Sequence, residues 1–150
     1  MPEKPIIRPY HASDKENIIA LLRLNTPKYF SPEEENDLIY YLDYEIEEYD
    51  VICIADKIIG SGGINYQENQ SIGCISWDLI HPAYQGQGFG TLLLKLRLSK
   101  LLANPQKLKI IVRTSQLVYK FYEKAGFQLT LQVKDYWAKD LDLCKMEFVR

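Results

Sequence analysis

Apolar and polar positions along the chain change period several times, and each change marks an element. Residues 6–8, just before Pro9, read as a short strand. Ile18, Ile19, Leu21, Leu22 and Leu24 then recur along one face of a 3.6-residue period, which predicts a helix. Ser13, with Glu16 three residues on, has the form of a capping box for it, and Asn25-Thr26-Pro27 ends it. Ser31-Pro32-Glu33-Glu34 starts a second helix, with a cap, a proline at the first helical position and carboxylates where the helix dipole favours them. Leu38, Ile39, Leu42 and Ile46 supply its apolar stripe. The pattern then shortens to strands at 51–55 and 58–64, joined by a two-residue turn at Asp56-Lys57, and at 72–80 after a polar turn. A long helix from Gly88 to about Ala103 stops at Asn104-Pro105, and residues 107–112 form a β-branched strand. Leu117, Val118, Phe121, Tyr122 and Ala125 have helical spacing up to Gly126, a natural left-handed terminator. Residues 127–133 and 141–149 are closing strands. The order predicts an α+β fold with a mixed, mainly antiparallel sheet. Its one strand–helix–strand crossover makes the strands around Ile75 and Ile110 parallel.

Length and composition narrow the class. A chain of 150 residues with no repeat or linker is read as one domain over 1–150. At 47% hydrophobic and 25% charged it is globular, which excludes disordered, collagen-like and coiled-coil chains. Cys53, Cys74 and Cys144 are odd in number, lack CxxC spacing and sit in apolar runs. They read as buried thiols of a reducing compartment, with no metal site expected. There is no long apolar run and no export signal at the start, so a cytoplasmic protein without membrane partners is expected. The net charge of −2 conceals an asymmetry: residues 31–50 carry nine acidic side chains and no Lys or Arg, leaving a surplus of +7 elsewhere. An acidic block of that size argues against general nucleic-acid binding. It suits a site with one pole for an anion and another for a cation.

The segment from Leu79 through His81-Pro82 to Gln85-Gly86-Gln87-Gly88-Phe89-Gly90-Thr91 takes a strand into glycines and then into a helix N-terminus. Unpaired amides and the positive end of a helix dipole at such a junction bind an anion such as a pyrophosphate. A dinucleotide fingerprint would need glycine at 91, where Thr91 stands.

Gln85-x-x-Gly88-x-Gly90 resembles the Gln/Arg-x-x-Gly-x-Gly/Ala motif of the GNAT-type N-acetyltransferases. Val112-Arg113-Thr114-Ser115 and Phe121-Tyr122-Glu123-Lys124-Ala125-Gly126-Phe127 are similar to the second signature of that family, in order and on the elements the family requires. The resemblance implies a splayed central pair of parallel strands and acetyl transfer from acetyl-CoA to a small-molecule or peptide amine. A CoA-binding sensor without turnover is the alternative. It further implies that Gln85, Gly86, Gln87, Gly88, Phe89, Gly90 and Thr91 hold the CoA pyrophosphate. Backbone groups of Leu79 and Ile80 would bind the pantetheine arm and polarise the thioester. Ser115 would contact the cofactor or cap a helix, and Lys95, Arg97, Lys120 or Lys124 would meet the adenosine phosphates. Tyr122 matches the tyrosine that protonates the departing thiolate. For the base, Asp78 is the only carboxylate of its strand, and period-2 alternation puts it on the face of Cys74. A half-buried carboxylate with a raised pKa would suit that role. His81 and Glu68 are alternatives, and Cys74 as an acetylated nucleophile is disfavoured. The acceptor side corresponds to Tyr29, Phe30, the acidic block with Tyr40, Tyr41 and Tyr44, and Asp135-Tyr136-Trp137. Acidic and aromatic surface there favours a cationic amine. A monomer or homodimer is expected.

Overall fold

The structure is a computed structural model describing residues 4–150. The first three residues, counted in the expected domain and in the reading of the chain start, lie outside the described residues. The strands are β1 (Ile6–Pro9), β2 (Glu48–Ile54), β3 (Lys57–Gln67), β4 (Ile72–Ile80), β5 (Lys109–Thr114), β6 (Phe127–Ala138) and β7 (Leu141–Phe148). The helices are α1 (Lys15–Leu24), α2 (Glu34–Tyr40), α3 (Phe89–Leu102) and α4 (Tyr119–Ala125). The strands form one sheet in the order β1-β2-β3-β4-β5-β7-β6. Only β4 and β5 run parallel, joined through α3, and the other neighbouring pairs are antiparallel. This is the expected α+β sheet.

Two apolar layers sandwich it. On one face Ile18, Leu22 and Leu38 of α1 and α2 pack against Tyr49, Val51 and Leu79. On the other, Leu94, Leu98 and Leu101 of α3 and Tyr122 of α4 pack against Ile75, Ile110, Val112 and Met146. Cys53, Cys74 and Cys144 are buried free thiols. Among the described residues no helix is long and apolar enough to cross a membrane.

Three local expectations change. The cap of α1 is not Ser13 with Glu16. A tight turn at Ala12–Asp14 precedes the helix, and Asp14 accepts the His11 amide at 2.9 Å while receiving both Arg8 guanidinium nitrogens at 2.8 and 2.9 Å. The β2–β3 turn is Ala55-Asp56, because Ile54 faces Lys57 and both turn residues take positive φ, 50° and 65°. That is the handedness which matches the twist of a hairpin. The stripe of α2 continues through one wide π turn over Tyr41–Glu45 before β2 begins.

Candidate active site

β4 and β5 pair only from Ile72 opposite Lys109 to Ile75 opposite Val112. Beyond that β5 leaves its pairing with β4 while staying with β7, and β4 runs on alone along that edge to Ile80. The His81 amide donates to the Ile59 carbonyl at 2.8 Å. Leu79, two residues earlier, therefore turns its backbone toward Ser61 in β3, and the intervening Ile80 turns its own toward the gap. Of the two residues expected to meet the pantetheine, Ile80 presents its backbone; that of Leu79 belongs to the sheet. The Ile80 carbonyl accepts from Asn25 Nδ2 and Gln85 Nε2, both at 3.1 Å.

The glycine turn lies at the mouth of this gap. Gly86 and Gly88 have φ of 76° and 89°, and a Cβ at either would point into open space. Glycine is needed there for backbone conformation, not for room. Gly88 is the N-cap of α3, so the first-turn amides, Phe89 to Thr91, lack helical acceptors. Gly90 lies against Phe121, whose ring would be 3.3 Å from an added Cβ. Gln85 also donates to Asn25 Oδ1 at 2.9 Å, tying the turn to the end of α1, and Gln87 donates to the Ala83 carbonyl at 3.1 Å.

A register slip places the chemistry. Ser61 faces Leu79 and Gly63 faces Ser76, so Trp77 and Asp78 together oppose Gly62. Trp77 takes φ of 50°, rare for a bulky residue, and its carbonyl accepts the Tyr49 hydroxyl at 2.9 Å. The bulge inverts the alternation. Trp77 stacks near Phe30 and Tyr41 on the α1–α2 face, whereas Asp78 turns toward α3 and α4, away from the face of Cys74. There Asp78 Oδ2 accepts the Tyr122 hydroxyl at 2.6 Å, and Oδ1 lies 2.5 Å from Arg97 Nη1. Arg97 is 1% exposed and donates through Nη1 to the Gly63 carbonyl at 3.0 Å. Burial, followed by the charge of Asp78 and its hydrogen bond, raises the Tyr122 phenol well above its ordinary value.

Ile80, the glycines of the turn, Asp78, Arg97 and Tyr122 line one cleft of about 1220 Å³ that continues past the gap to the α1–α2 side, while Gln87 stands outside its lining. Its far half has an aromatic floor. Phe30 and Trp77 are stacked at 6.2 Å, and the Tyr41 hydroxyl donates to Asn65 Oδ1 at 2.5 Å. Tyr29, Tyr44, Glu45, Glu47 and Trp137 complete it. Glu47 accepts from the Tyr66 amide at 3.1 Å. Glu34 also lines the cleft, but it is buried on the Ser31 amide at 2.8 Å, and burial raises its pKa.

Several expected site residues fall elsewhere. Tyr136 is exposed outside the cleft, its hydroxyl accepting from Arg113 at 2.7 Å, while the next residue, Trp137, lines the cleft. Tyr40 is exposed outside it too, on the ring of Tyr44. Ser115, by contrast, lines the cleft; it is buried, its hydroxyl accepts the Leu117 amide at 3.3 Å and its carbonyl receives Val118 and Tyr119, in the turn that leads into α4 without being its N-cap. Lys95, Lys120 and Lys124 are exposed and do not line the cleft. His81 accepts the Ala83 amide at 3.0 Å and caps a turn, and Glu68 sits in the β3–β4 turn away from the cleft. Arg97, expected near the adenosine phosphates, is instead the buried partner of Asp78. Its signal was in the helix period: it stands four residues after Leu93 and four before Leu101, both buried. Among the described residues no group of three or more His, Cys, Asp or Glu side chains could hold a metal ion.

A family model for the acetyltransferase (GNAT) domain matches residues 28–149. The chain belongs to this family and is an N-acetyltransferase. Curated protein sequences yield no match. Solved structures share the fold over nearly the whole chain at low identity. One is a GNAT-family acetyltransferase of Desulfovibrio desulfuricans, described as putative, with TM-score 0.79, 16% identity and 97% and 98% of the two chains covered. A second is an aminoglycoside 6'-N-acetyltransferase complexed with coenzyme A, with TM-score 0.75, 14% identity and the same coverage. A third is Arabidopsis thaliana Naa50 in complex with a bisubstrate analogue, with TM-score 0.77, 16% identity and 97% and 99% covered.

Proposed function

We propose that this chain transfers the acetyl group of acetyl-CoA to a primary amine, by direct attack while both are bound. One observation carries the reading: the open seam of β4, the glycine turn and the Tyr122 hydroxyl share a single cleft with an acidic, aromatic acceptor pocket. The residues fit the cosubstrate. Amides from Gly86 to Thr91 at the α3 N-terminus suit a pyrophosphate, and the unpaired edge of β4 suits a pantetheine arm added like a strand. Acetyl-CoA supplies a thioester activated toward amines. The Ile80 amide, facing the gap, is placed to polarise the thioester carbonyl. Tyr122, a protonated phenol at neutral pH, is the donor to the departing thiolate. Asp78, with one oxygen on Tyr122 and the other against Arg97, acts as the partner of the phenol. The amine sheds its proton on the acceptor side, where Glu45 and Glu47 line the cleft. Those carboxylates and the Phe30–Trp77 floor favour a cationic amine by Coulomb and cation–π attraction.

The test is thiol release from acetyl-CoA against cationic and neutral amines at low salt, with wild type and Tyr122→Phe. Acceptor-dependent release is expected, faster with cationic amines. It falls at least about tenfold in the variant, about 1.4 kcal/mol of barrier. Acetyl-CoA binding without release to any amine would overturn the reading in favour of a binding module, and equal rates for both amine classes would remove the cationic preference.

A further inference from the structure

Arg97 is the largest charged group in the interior and has no role in the chemistry set out above. It projects from the buried stripe of α3 onto the sheet face that Asp78 also occupies, over β3, in a space that only a glycine at 62 leaves open. An added Cβ at Gly62 would collide with Asp78 Oδ1 and come within 2.9 Å of Arg97 Nη1. The guanidinium is 1% exposed, donates to the carbonyls of Leu93 and Gly63 at 3.3 and 3.0 Å, and lies 2.5 Å from the Asp78 carboxylate. That last contact is charge against charge without a well-aligned hydrogen bond, and Nη2 has no partner. A buried pair of this kind could be replaced as a whole by well-packed apolar side chains at little loss if stability were its only role, whereas removing Arg97 alone leaves the Asp78 carboxylate uncompensated.

Resting on the transferase reading, we infer that Arg97 is a positioning residue for proton donation by Tyr122: it fixes Asp78 beneath the phenol and offsets its charge. When the Tyr122 hydroxyl gives its proton to the thiolate sulfur, the O–H bond breaks, an S–H bond forms, and a phenolate is left 2.6 Å from a carboxylate. Without Arg97 two anions would share that buried space. With it the trio carries a single negative charge. The nearest other titratable groups are neutral at working pH and lie on the opposite face of the sheet: the Cys74 thiol of β4, which burial raises, and the Tyr49 hydroxyl of β2, which burial also raises and which donates to the Trp77 carbonyl while hydrogen-bonded with the Ser61 hydroxyl. Arg97 is thus the one cation in contact with the Asp78–Tyr122 pair among the described residues. The device is local, and every part of it is a short side-chain contact.

The experiment measures kcat, KM for acetyl-CoA and Tm for wild type, Arg97→Met, Arg97→Lys and the double variant Asp78→Asn/Arg97→Met. Arg97→Met is expected to lose at least about tenfold in kcat with KM within about threefold. Arg97→Lys, which keeps the charge, should retain most of kcat. The double variant, freed of the unpaired carboxylate, should exceed Arg97→Met in both kcat and Tm. Wild-type kcat in Arg97→Met would overturn the inference. So would Arg97→Lys as impaired as Arg97→Met, or a double variant no faster than the single. If Arg97→Met does not fold, recovery of folding and turnover in the double variant supports the charge offset and an inactive but folded double variant refutes it. Absence of turnover in wild type would instead overturn the transferase reading and with it the proton-donation role, while Tm rescue by the double variant would still establish the charge pairing by itself.

Discussion

Gly62→Ala is the most informative single substitution at the bulge, because it adds one methyl group where β3 passes under Asp78 and Arg97. The backbone at Gly62 does not have positive φ, so alanine is conformationally acceptable and the effect comes from contact alone. The new Cβ would overlap Asp78 Oδ1 and lie 2.9 Å from Arg97 Nη1 and 3.0 Å from Leu93 Cδ2. The ends of side chains usually yield cheaply, but these two ends are the ion pair, and Arg97 has packed neighbours on every side. Overpacking at buried sites costs about 1–3 kcal/mol. Removing one partner of a buried pair outright costs about 3–5 kcal/mol, so a pair pushed apart but still present belongs in the lower range. For a chain of this length about 1–3 kcal/mol corresponds to a fall in Tm of roughly 2–12 °C. The carboxylate that holds the Tyr122 hydroxyl moves with the pair, so kcat is expected to drop by on the order of tenfold, about 1.4 kcal/mol of barrier, while KM for acetyl-CoA changes little. Thermal melts and thiol-release kinetics on the same preparation read both effects. A variant with unchanged Tm and unchanged kcat would refute the packing reasoning, and a loss in KM alone would place Gly62 on the cosubstrate path instead.

Gly88→Ala tests the opposite case, since its Cβ would meet nothing within 4 Å and the cost lies wholly in φ of 89°. An alanine held in left-handed backbone costs about 1–2 kcal/mol, so a lower Tm together with weaker acetyl-CoA binding is expected, and an unaltered melt and affinity would count against the turn geometry. Asp14→Asn tests the N-terminal ion pair: the Arg8 guanidinium lowers the Asp14 pKa, so its stabilisation is present above the ordinary carboxylate range and is lost as pH falls through the lowered folded value. The Tm gap between wild type and variant should be full above the ordinary carboxylate range and close only as the pH falls below that range through the lowered folded value; a gap that persists unchanged in acid would mean the pair contributes through packing only.

Much of the fold was legible because its signals are local. The glycine turn follows a strand and opens a helix, Gly126 ends α4 in left-handed backbone with φ of 113°, and the boundaries of Ile72–Ile80 are set by turn residues on one side and His81-Pro82 on the other. The site was less legible because its decisive feature is a phase change. Strict alternation keeps Asp78 on the face of Cys74, where a carboxylate would meet the acceptor amine as a free base. One extra residue at Trp77, held by the Tyr49 hydroxyl from a strand 28 positions away, sends it to the helix face instead. No composition rule marks that bulge, since a tryptophan is a poor candidate for positive φ. The cap of α1 was misplaced for a related reason: Arg8 in β1 selects Asp14 over Ser13, a choice made by tertiary contact. The buried guanidinium is the counterpart to the bulge. Once Asp78 faces α3, a carboxylate one-fifth exposed needs a cation, and the helix position four residues past Leu93 is where one can reach it. Bulge, Gly62 and Arg97 therefore form one structural solution, and the phenol of Tyr122 inherits its place from all three.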